Sequence, residues 1–230
     1  MRLDKAIVHA GHGSRREVQG WIRAGLVSAG GETIRKPDAA VDPLTQSVTL
    51  RGEDIGYAEH YHIMMHKPAG YVSSTEDPRE RTVLELLDAR RRRLPLFPAG
   101  RLDKDATGLL LLTTDGALAH RLLSPSRHVD KEYLVTVEGL LTPDMAARFA
   151  EGVRLVDGEL CRPADLSILS SFAARVVLRE GKYHQIKRMM AAMNLRVTSI
   201  HRLRMGALRL DEALEPGAWR GLTPEEVMLL

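Results

Sequence analysis

The sequence GRLDKDATGLLLLTT, at residues 100–114, joins a charged turn to a strongly apolar run. Four consecutive leucines, Leu109 to Leu112, are typical of a β-strand that is buried on both faces. The turn before them carries Asp103, and a place beside a buried strand would fix this side chain and partly shield it from water. The stretch therefore predicts a central strand with a carboxylate anchored at one end.

Two interpretations of Asp103 remain open at this point. A carboxylate so placed is a candidate nucleophile or base, and Arg101 is near enough in the chain to help keep it ionised. Loop aspartates also commonly accept hydrogen bonds from nearby backbone amides. The residues alone favour this second, structural role.

The region around the leucine run alternates short apolar runs with helical patterns. Strands are expected at residues 62–66, 108–114, 131–138, 173–179 and 197–203. This arrangement predicts an α+β domain over residues 59–230, with a mixed, largely antiparallel central sheet flanked by helices.

A helix is expected after Gly181, with methionines in its apolar stripe. Ile186, Met189 and Met190 fall at helical spacing and should face the core. Lys187 lies about 100° around the helix from Ile186, at the edge of that stripe. Its cation can therefore reach a partly buried site.

Residues 1–58 are expected to form a small separate domain of two short helices and a hairpin. Ser14 can cap the second helix, and Gly25 ends it. A Gly30-Gly31 turn then connects two short strands. The segment at residues 51–60 has two glycines and mixed charge, which predicts a linker between the domains.

Basic residues are clustered, although their excess is small. The chain has 33 basic and 30 acidic residues, which gives a formal charge of +3. Arg90 to Arg93 form one run, and a second group of cations lies between residues 182 and 209. Such clusters fit phosphate binding and equally fit a solvated charged surface. Aromatic residues make up 4% of the chain, so any base stacking must depend on few rings.

Several classes of protein and site are disfavoured. The single cysteine, Cys161, has no partner for an internal disulfide. His120, His128 and Cys161 lack zinc-site spacing and there is no Walker A sequence, so neither a metal site nor a nucleotide cofactor is expected. No apolar stretch is long enough for a membrane helix and the start lacks a secretory pattern, so a soluble cytoplasmic protein is expected.

The first domain resembles the S4 domain, a small RNA-binding module of ribosomal proteins and RNA-modifying enzymes. The resemblance rests on RLDK at residues 2–5, SR at residues 14–15 and IRAGLV at residues 22–27. It implies RNA contact by Arg15, Arg16 and Arg23, for which surface solubility is the alternative. Residues 29–31 are Ala-Gly-Gly where this family usually has Val-Asn-Gly.

The second domain resembles the RsuA-type pseudouridine synthases, bacterial ribosomal RNA modifiers that pair an S4 domain with this catalytic domain. Four stretches match in the family's order, namely HKPAGYV at 66–72, GRLDKDATG at 100–108, KEYLV at 131–135 and EGKYHQIKRMM at 180–190. The resemblance implies that Asp103 is the indispensable catalytic residue, that Tyr133 packs against the target base, and that Lys187 is the basic partner of the aspartate. Without it, Tyr133 would be interpreted as a core residue. Ala106 stands where a hydroxyl residue is common, and Lys187 where many members have arginine.

The same resemblance implies further RNA contacts, by Arg101, Lys182, His184, Gln185 and Arg188. The reaction detaches uracil from ribose and rejoins it through C5 without redox change or net group transfer, so no cofactor is expected. Similarity over HQIKRM at 184–189 and LTPEE at 222–226 favours a uridine of small-subunit ribosomal RNA. We expect this RNA to lie within a pre-assembled particle, and we expect a monomeric enzyme because the RNA itself supplies the partner surface. The alternatives are a large-subunit RNA site and a non-catalytic RNA-binding protein of ribosome assembly.

Overall fold

The computed structural model describes residues 1–124 and 129–230 and separates into two units. The first comprises Met1–Tyr61 and Leu87–Leu96, and the second comprises His62–Leu86 and Phe97–Leu230. The domain boundary between residues 58 and 59 stays a prediction. No sequence pattern had indicated the second piece of the first unit. His128, one of the histidines without zinc spacing, lies outside the described residues.

Two α-helices pack with a four-stranded antiparallel sheet in the first unit. The elements are α1 (Leu3–His9), α2 (Arg15–Arg23), β1 (Val27–Ala29), β2 (Glu32–Thr33), β3 (Val48–Leu50), β4 (Glu53–Asp54) and a 3-10 helix (Arg91–Arg93). The strand order is β2-β1-β3-β4. The predicted start of α2 is confirmed, because Ser14 and Glu17 each accept a hydrogen bond from the other's backbone amide. Gly25, with φ of +75°, follows the end of α2 as expected.

The predicted linker at residues 51–60 is wrong. Residues 53–54 form β4, which pairs with β3, and Ile55 is 1% exposed in the apolar core of this unit. Arg51 and Gly52 make the reversal between the strands, with φ of 55° and 87°. Positive φ at both central residues suits a tight two-residue hairpin turn. The glycine therefore belongs to a hairpin and not to a flexible connection.

The second unit is built on a large mixed sheet with helices packed against it. Its elements are β5 (His62–Lys67), a 3-10 helix (Val83–Leu86), β6 (Phe97–Pro98), β7 (Thr107–Thr113), α3 (Gly116–Leu123), β8 (Lys131–Glu138), α4 (Pro143–Glu151), β9 (Asp165–Ser170), β10 (Ala173–Leu178), α5 (Gln185–Ala191), β11 (Arg196–Met205), β12 (Leu208–Arg209), β13 (Trp219–Gly221) and α6 (Pro224–Met228). The strand order is β13-β5-β7-β11-β8-β10-β9, with β6 beside β7 and β12 beside β11. Among the described strands, only the β7 and β11 pair is parallel. The predicted α+β fold with a largely antiparallel sheet is confirmed.

Strand β7 holds the centre of this sheet, as the leucine run predicts. It lies between β5 and β11, and Leu109 to Leu112 are fully buried. Leu109 and Leu111 pack in one apolar cluster with residues of α3. Gly108 lies where β7 meets β11, and a Cβ there would be 2.3 Å from the carbonyl oxygen of Arg202. Only glycine permits this approach, because its φ is also +102°.

A second apolar cluster connects β8 with α4 and α5. Tyr133, Val135 and Val137 belong to it, as the period of two along β8 predicts. The methionine stripe predicted for α5 is buried in the same cluster. Within the described ranges, no helix has the length and apolar character needed to cross a membrane.

Candidate active site

A pocket of about 790 Å³ lies in the second unit beside the turn that precedes β7. Six of the predicted site residues line it: Arg101, Asp103, Tyr133, Lys182, His184 and Gln185. They come from the turn before β7, from β8 and from the segment that leads into α5. The fold therefore brings three distant parts of the sequence to one cavity.

The Asp103 turn is held by its backbone. The buried hydroxyl of Ser73 donates to the Leu102 carbonyl oxygen at 2.9 Å and accepts from the Leu102 amide at 3.0 Å. The Ala106 amide donates to the Asp103 carbonyl oxygen at 3.1 Å. These contacts leave the Asp103 side chain, 26% exposed, directed at other side chains of the site. In the part of the chain that the structure describes, the carboxylate contacts His184 and Lys187 and not the amides of its own turn.

Lys67 stabilises the same turn by hydrogen bonds to its backbone. Its ammonium is fully buried and donates to the carbonyl oxygens of Ala106 at 2.7 Å and Lys104 at 3.3 Å. Burial lowers the pKa of Lys67 to about 8, although the charges of Asp105 and Asp103 oppose the shift. The motif at residues 66–72 was recognised in the sequence, but nothing there assigned its lysine to this turn.

Lys187 reaches two carboxylates with one ammonium group. Its Nζ is 3.5 Å from Oδ2 of Asp103 and 2.7 Å from both oxygens of Asp105. Burial lowers the pKa of Lys187, but the hydrogen bond and charge of Asp105 and the charge of Asp103 outweigh it and raise the pKa overall. The expected neighbour of Asp103 is therefore in place, yet its shorter contact is with Asp105, which sequence reasoning did not single out.

An aromatic pair borders Asp103 on another side. Nε2 of His184 is 3.7 Å from Oδ1 of Asp103. His184 has a left-handed backbone, with φ of 48°, and precedes α5. The ring of Tyr183 stacks on the His184 ring with centroids 3.8 Å apart. Tyr183 also lines the pocket and was not among the predicted site residues.

Tyr133 provides a buried aromatic wall. It is 7% exposed and packs in the same apolar cluster as Leu102, Ala106 and Ile186. It lines the same pocket as Asp103 and the residues that lead into α5. A flat ring beside a carboxylate and a cation can hold a planar base while the carboxylate acts on the attached sugar.

Comparison with known proteins identifies the family. Residues 60–192 match the family model of RNA pseudouridylate synthase. The chain belongs to this family. Residues 1–43 match the S4 domain model, so the resemblance is confirmed for both parts of the sequence. Pseudouridine synthases are isomerases, which confirms the predicted class of enzyme.

Relatives of this pseudouridine synthase match it over nearly the whole chain. An uncharacterized RNA pseudouridine synthase of Bacillus subtilis, YtzG, is 44% identical over 100% of this chain and 98% of the relative. Ribosomal small subunit pseudouridine synthase A of Salmonella typhimurium is 42% identical over 99% of this chain and 98% of the relative. A crystal structure of a pseudouridylate synthase superposes with a TM-score of 0.71 at 36% identity, covering 100% of both chains.

Three of the residues predicted to bind RNA are already engaged within this pseudouridine synthase. Lys182 contacts Glu159 at 2.9 Å, and Arg188 contacts the same carboxylate at 2.8 Å. Gln185 is buried and donates to Glu180 at 2.7 Å. These contacts fix the loop before α5. RNA contact by the three residues stays a prediction.

The S4 arginines of the synthase lie on or beside α2 and are exposed. Arg16 and Arg23 have exposed side chains. Arg15, also exposed, contacts the fully buried carboxylate of Asp4 at 3.3 Å. Burial acts to raise the pKa of Asp4, but hydrogen bonds from Arg2 and two other side chains lower it overall. Arg15 therefore has a structural contact in addition to any RNA contact.

Proposed function

We propose that this protein converts one uridine of small-subunit ribosomal RNA to pseudouridine, with Asp103 as the catalytic carboxylate. The observation that carries the proposal is the placement of Asp103 in a pocket with Tyr133 and within 3.5 Å of Lys187. The relatives from Salmonella typhimurium and Escherichia coli named ribosomal small subunit pseudouridine synthase A support the choice of RNA, because they align over 98% of their own length.

The reaction needs one reactive carboxylate and a means of retaining the base. The bond from ribose C1′ to uracil N1 breaks, the base turns, and C1′ bonds to C5, which loses its proton while N1 gains one. Asp103 can serve as nucleophile at C1′ or C6, or as the base that removes the C2′ proton. All three routes require an ionised carboxylate beside the target nucleotide.

The neighbours of Asp103 have separate tasks in this proposal. Tyr133 packs on the uracil ring and limits its rotation after detachment. Lys187 places its positive charge beside Asp103, and Asp105 holds the Lys187 ammonium in place. Because a paired base hides its sugar edge, the target nucleotide is unpaired or flipped, at a cost of roughly a few kcal/mol.

RNA outside the target nucleotide is bound by the S4 unit in this proposal. The exposed arginines of α2 meet phosphates and position the RNA without reading its sequence. We also propose that the enzyme acts as a monomer, in the cytoplasm, on RNA within a pre-assembled small-subunit particle. The names of the bacterial relatives place their action on ribosomal RNA, which supports the cytoplasmic location.

The test is a map of pseudouridines in both ribosomal RNAs from cells that lack the gene. We expect one pseudouridine to disappear from small-subunit RNA and to return with the wild-type gene but not with Asp103→Asn. The purified Asp103→Asn protein should bind the RNA as wild type does, which separates lost chemistry from lost binding. A loss confined to large-subunit RNA would overturn the substrate choice, and an unchanged map would favour a non-catalytic RNA-binding protein.

A further inference from the structure

Tyr183 presents a large aromatic ring to solvent at the edge of the pocket. It is 73% exposed, and the stacked ring of His184 covers one of its faces. Burial of aromatic surface is favourable, so a ring that the fold keeps exposed beside a binding pocket is a candidate contact for a ligand.

Several hydrogen bonds connect the backbone of the loop around Tyr183. The Lys182 amide donates to the Gln185 side chain at 3.0 Å, and the Gln185 amide donates to the Lys182 carbonyl oxygen at 3.2 Å. Arg188, anchored by Asp157 and Glu159, donates to the Tyr183 carbonyl oxygen at 3.3 Å. These contacts restrain the backbone that carries Tyr183, and the stack on His184 orients its ring.

We propose that Tyr183, backed by His184, is a stacking platform for the unpaired base that neighbours the target uridine in the RNA strand. The inference rests on the proposed function and adds a second base-binding position to it. Stacking on an aromatic ring suits any base, because every base has a π-face.

The neighbouring base, and not the target, is the occupant that the geometry favours. Tyr133 is buried, lies in the pocket with Asp103 and is available to the uracil itself. When the target leaves the helix or loop, the next base loses its stacking partner. Tyr183, at the mouth of the same pocket, replaces that partner through its open face.

The test compares variants on an RNA fragment that contains the target uridine found by mapping. Tyr183→Ala should raise KM by about tenfold, because one stacked base is lost, with most of the effect in KM and little in kcat. Tyr183→Phe keeps the ring and should recover most of that loss. Phe172→Ala is the matched control, since Phe172 is also exposed but does not line the pocket.

A change in the RNA tests the same contact without altering the protein. Two fragments carry an abasic site, one on the 5′ side of the target and one on the 3′ side. We expect wild type to bind only one of them more weakly than the intact fragment. Tyr183→Ala should bind that fragment as strongly as wild type does. Two results would refute the platform while the proposed function stands, provided that wild type converts the intact fragment. One is an unchanged KM in Tyr183→Ala. The other is an effect of Tyr183→Ala that simply adds to the effect of each abasic site. A wild-type protein that converts no RNA would refute the proposed function instead.

Discussion

At the scale of single residues, the main feature is one ammonium group shared by two carboxylates. Lys187 makes its shorter contacts with Asp105 and a longer one, of 3.5 Å, with Asp103. The exposed carboxylate of Asp105 thus orients the cation that faces Asp103, the proposed catalytic carboxylate. Because Asp105 is 70% exposed, solvent screening keeps the energy of this contact small.

We expect Asp105→Asn to slow pseudouridine formation by about threefold, since a weakly restrained Lys187 faces Asp103 less often. Single-turnover rates on the mapped RNA fragment would measure this. Asp144→Asn, which changes an exposed carboxylate on α4 away from the pocket, is the control. A faster reaction in Asp105→Asn would mean that Asp105 competes with Asp103 for the cation.

Lys67 predicts a dependence of stability on pH. Its pKa is lowered from 10.5 to about 8 in the folded protein, so the unfolded chain binds more protons between these two values. The free energy of unfolding should therefore rise with pH across this window, by roughly 2–3 kcal/mol from this residue. Urea unfolding of wild type and Lys67→Met at about pH 7.5 and about pH 10 would isolate the contribution. An equal response of both proteins to pH would contradict it.

At the scale of elements, the join between β7 and β11 depends on one glycine. A Cβ at Gly108 would meet the Arg202 backbone at 2.3 Å, and the residue has a φ that other residues rarely adopt. We expect Gly108→Ala to lower the free energy of unfolding by at least about 3 kcal/mol. Gly116→Ala, in open space at the start of α3, should change it by less than about 0.5 kcal/mol. Urea unfolding of both variants tests the contrast, and a mild effect at Gly108 would show that the two strands can separate locally.

Sequence periodicity predicted several of the long elements, but not α3, α4 or β9, and it missed several of the shortest strands. The leucine run predicted β7, and alternation along residues 131–138 predicted β8 with its buried tyrosine face. Strands β4, β6, β12 and β13 have only two or three residues, too few to show a period. They form because neighbouring strands offer free backbone groups, which is a tertiary effect.

The same limit applies to the candidate site. Motif order was enough to group Asp103, Tyr133 and Lys187: the first two line one pocket, and Lys187 lies within 3.5 Å of Asp103. The support from Lys67, the bridge by Asp105 and the exposed ring of Tyr183 depend on side-chain directions that no spacing along the chain specifies.

At the scale of the whole molecule, the net charge is only +3. We therefore expect RNA affinity to depend on the clusters of arginines and not on the overall charge. We expect Arg16→Ala and Arg23→Ala each to lower the salt dependence of RNA binding by about one counterion. Arg15→Ala should also destabilise the first unit, because it removes a partner of buried Asp4. RNA titrations at several salt concentrations, with thermal unfolding alongside, would separate the two effects. An unchanged salt slope would mean that these arginines do not meet phosphates.

The path of the chain limits how this protein can be divided. Leu87–Leu96 belong to the first unit, where Arg90 donates to the Ala10 carbonyl oxygen and Arg93 donates to that of His12. A fragment that begins at residue 62 would contain Leu87–Leu96 without the rest of the first unit. Leu94, which is buried beside Gly11, would then be exposed to proteases and to aggregation. To combine the RNA-binding unit of one relative with the isomerase unit of another, two segments therefore have to be exchanged together, residues 1–61 and residues 87–96.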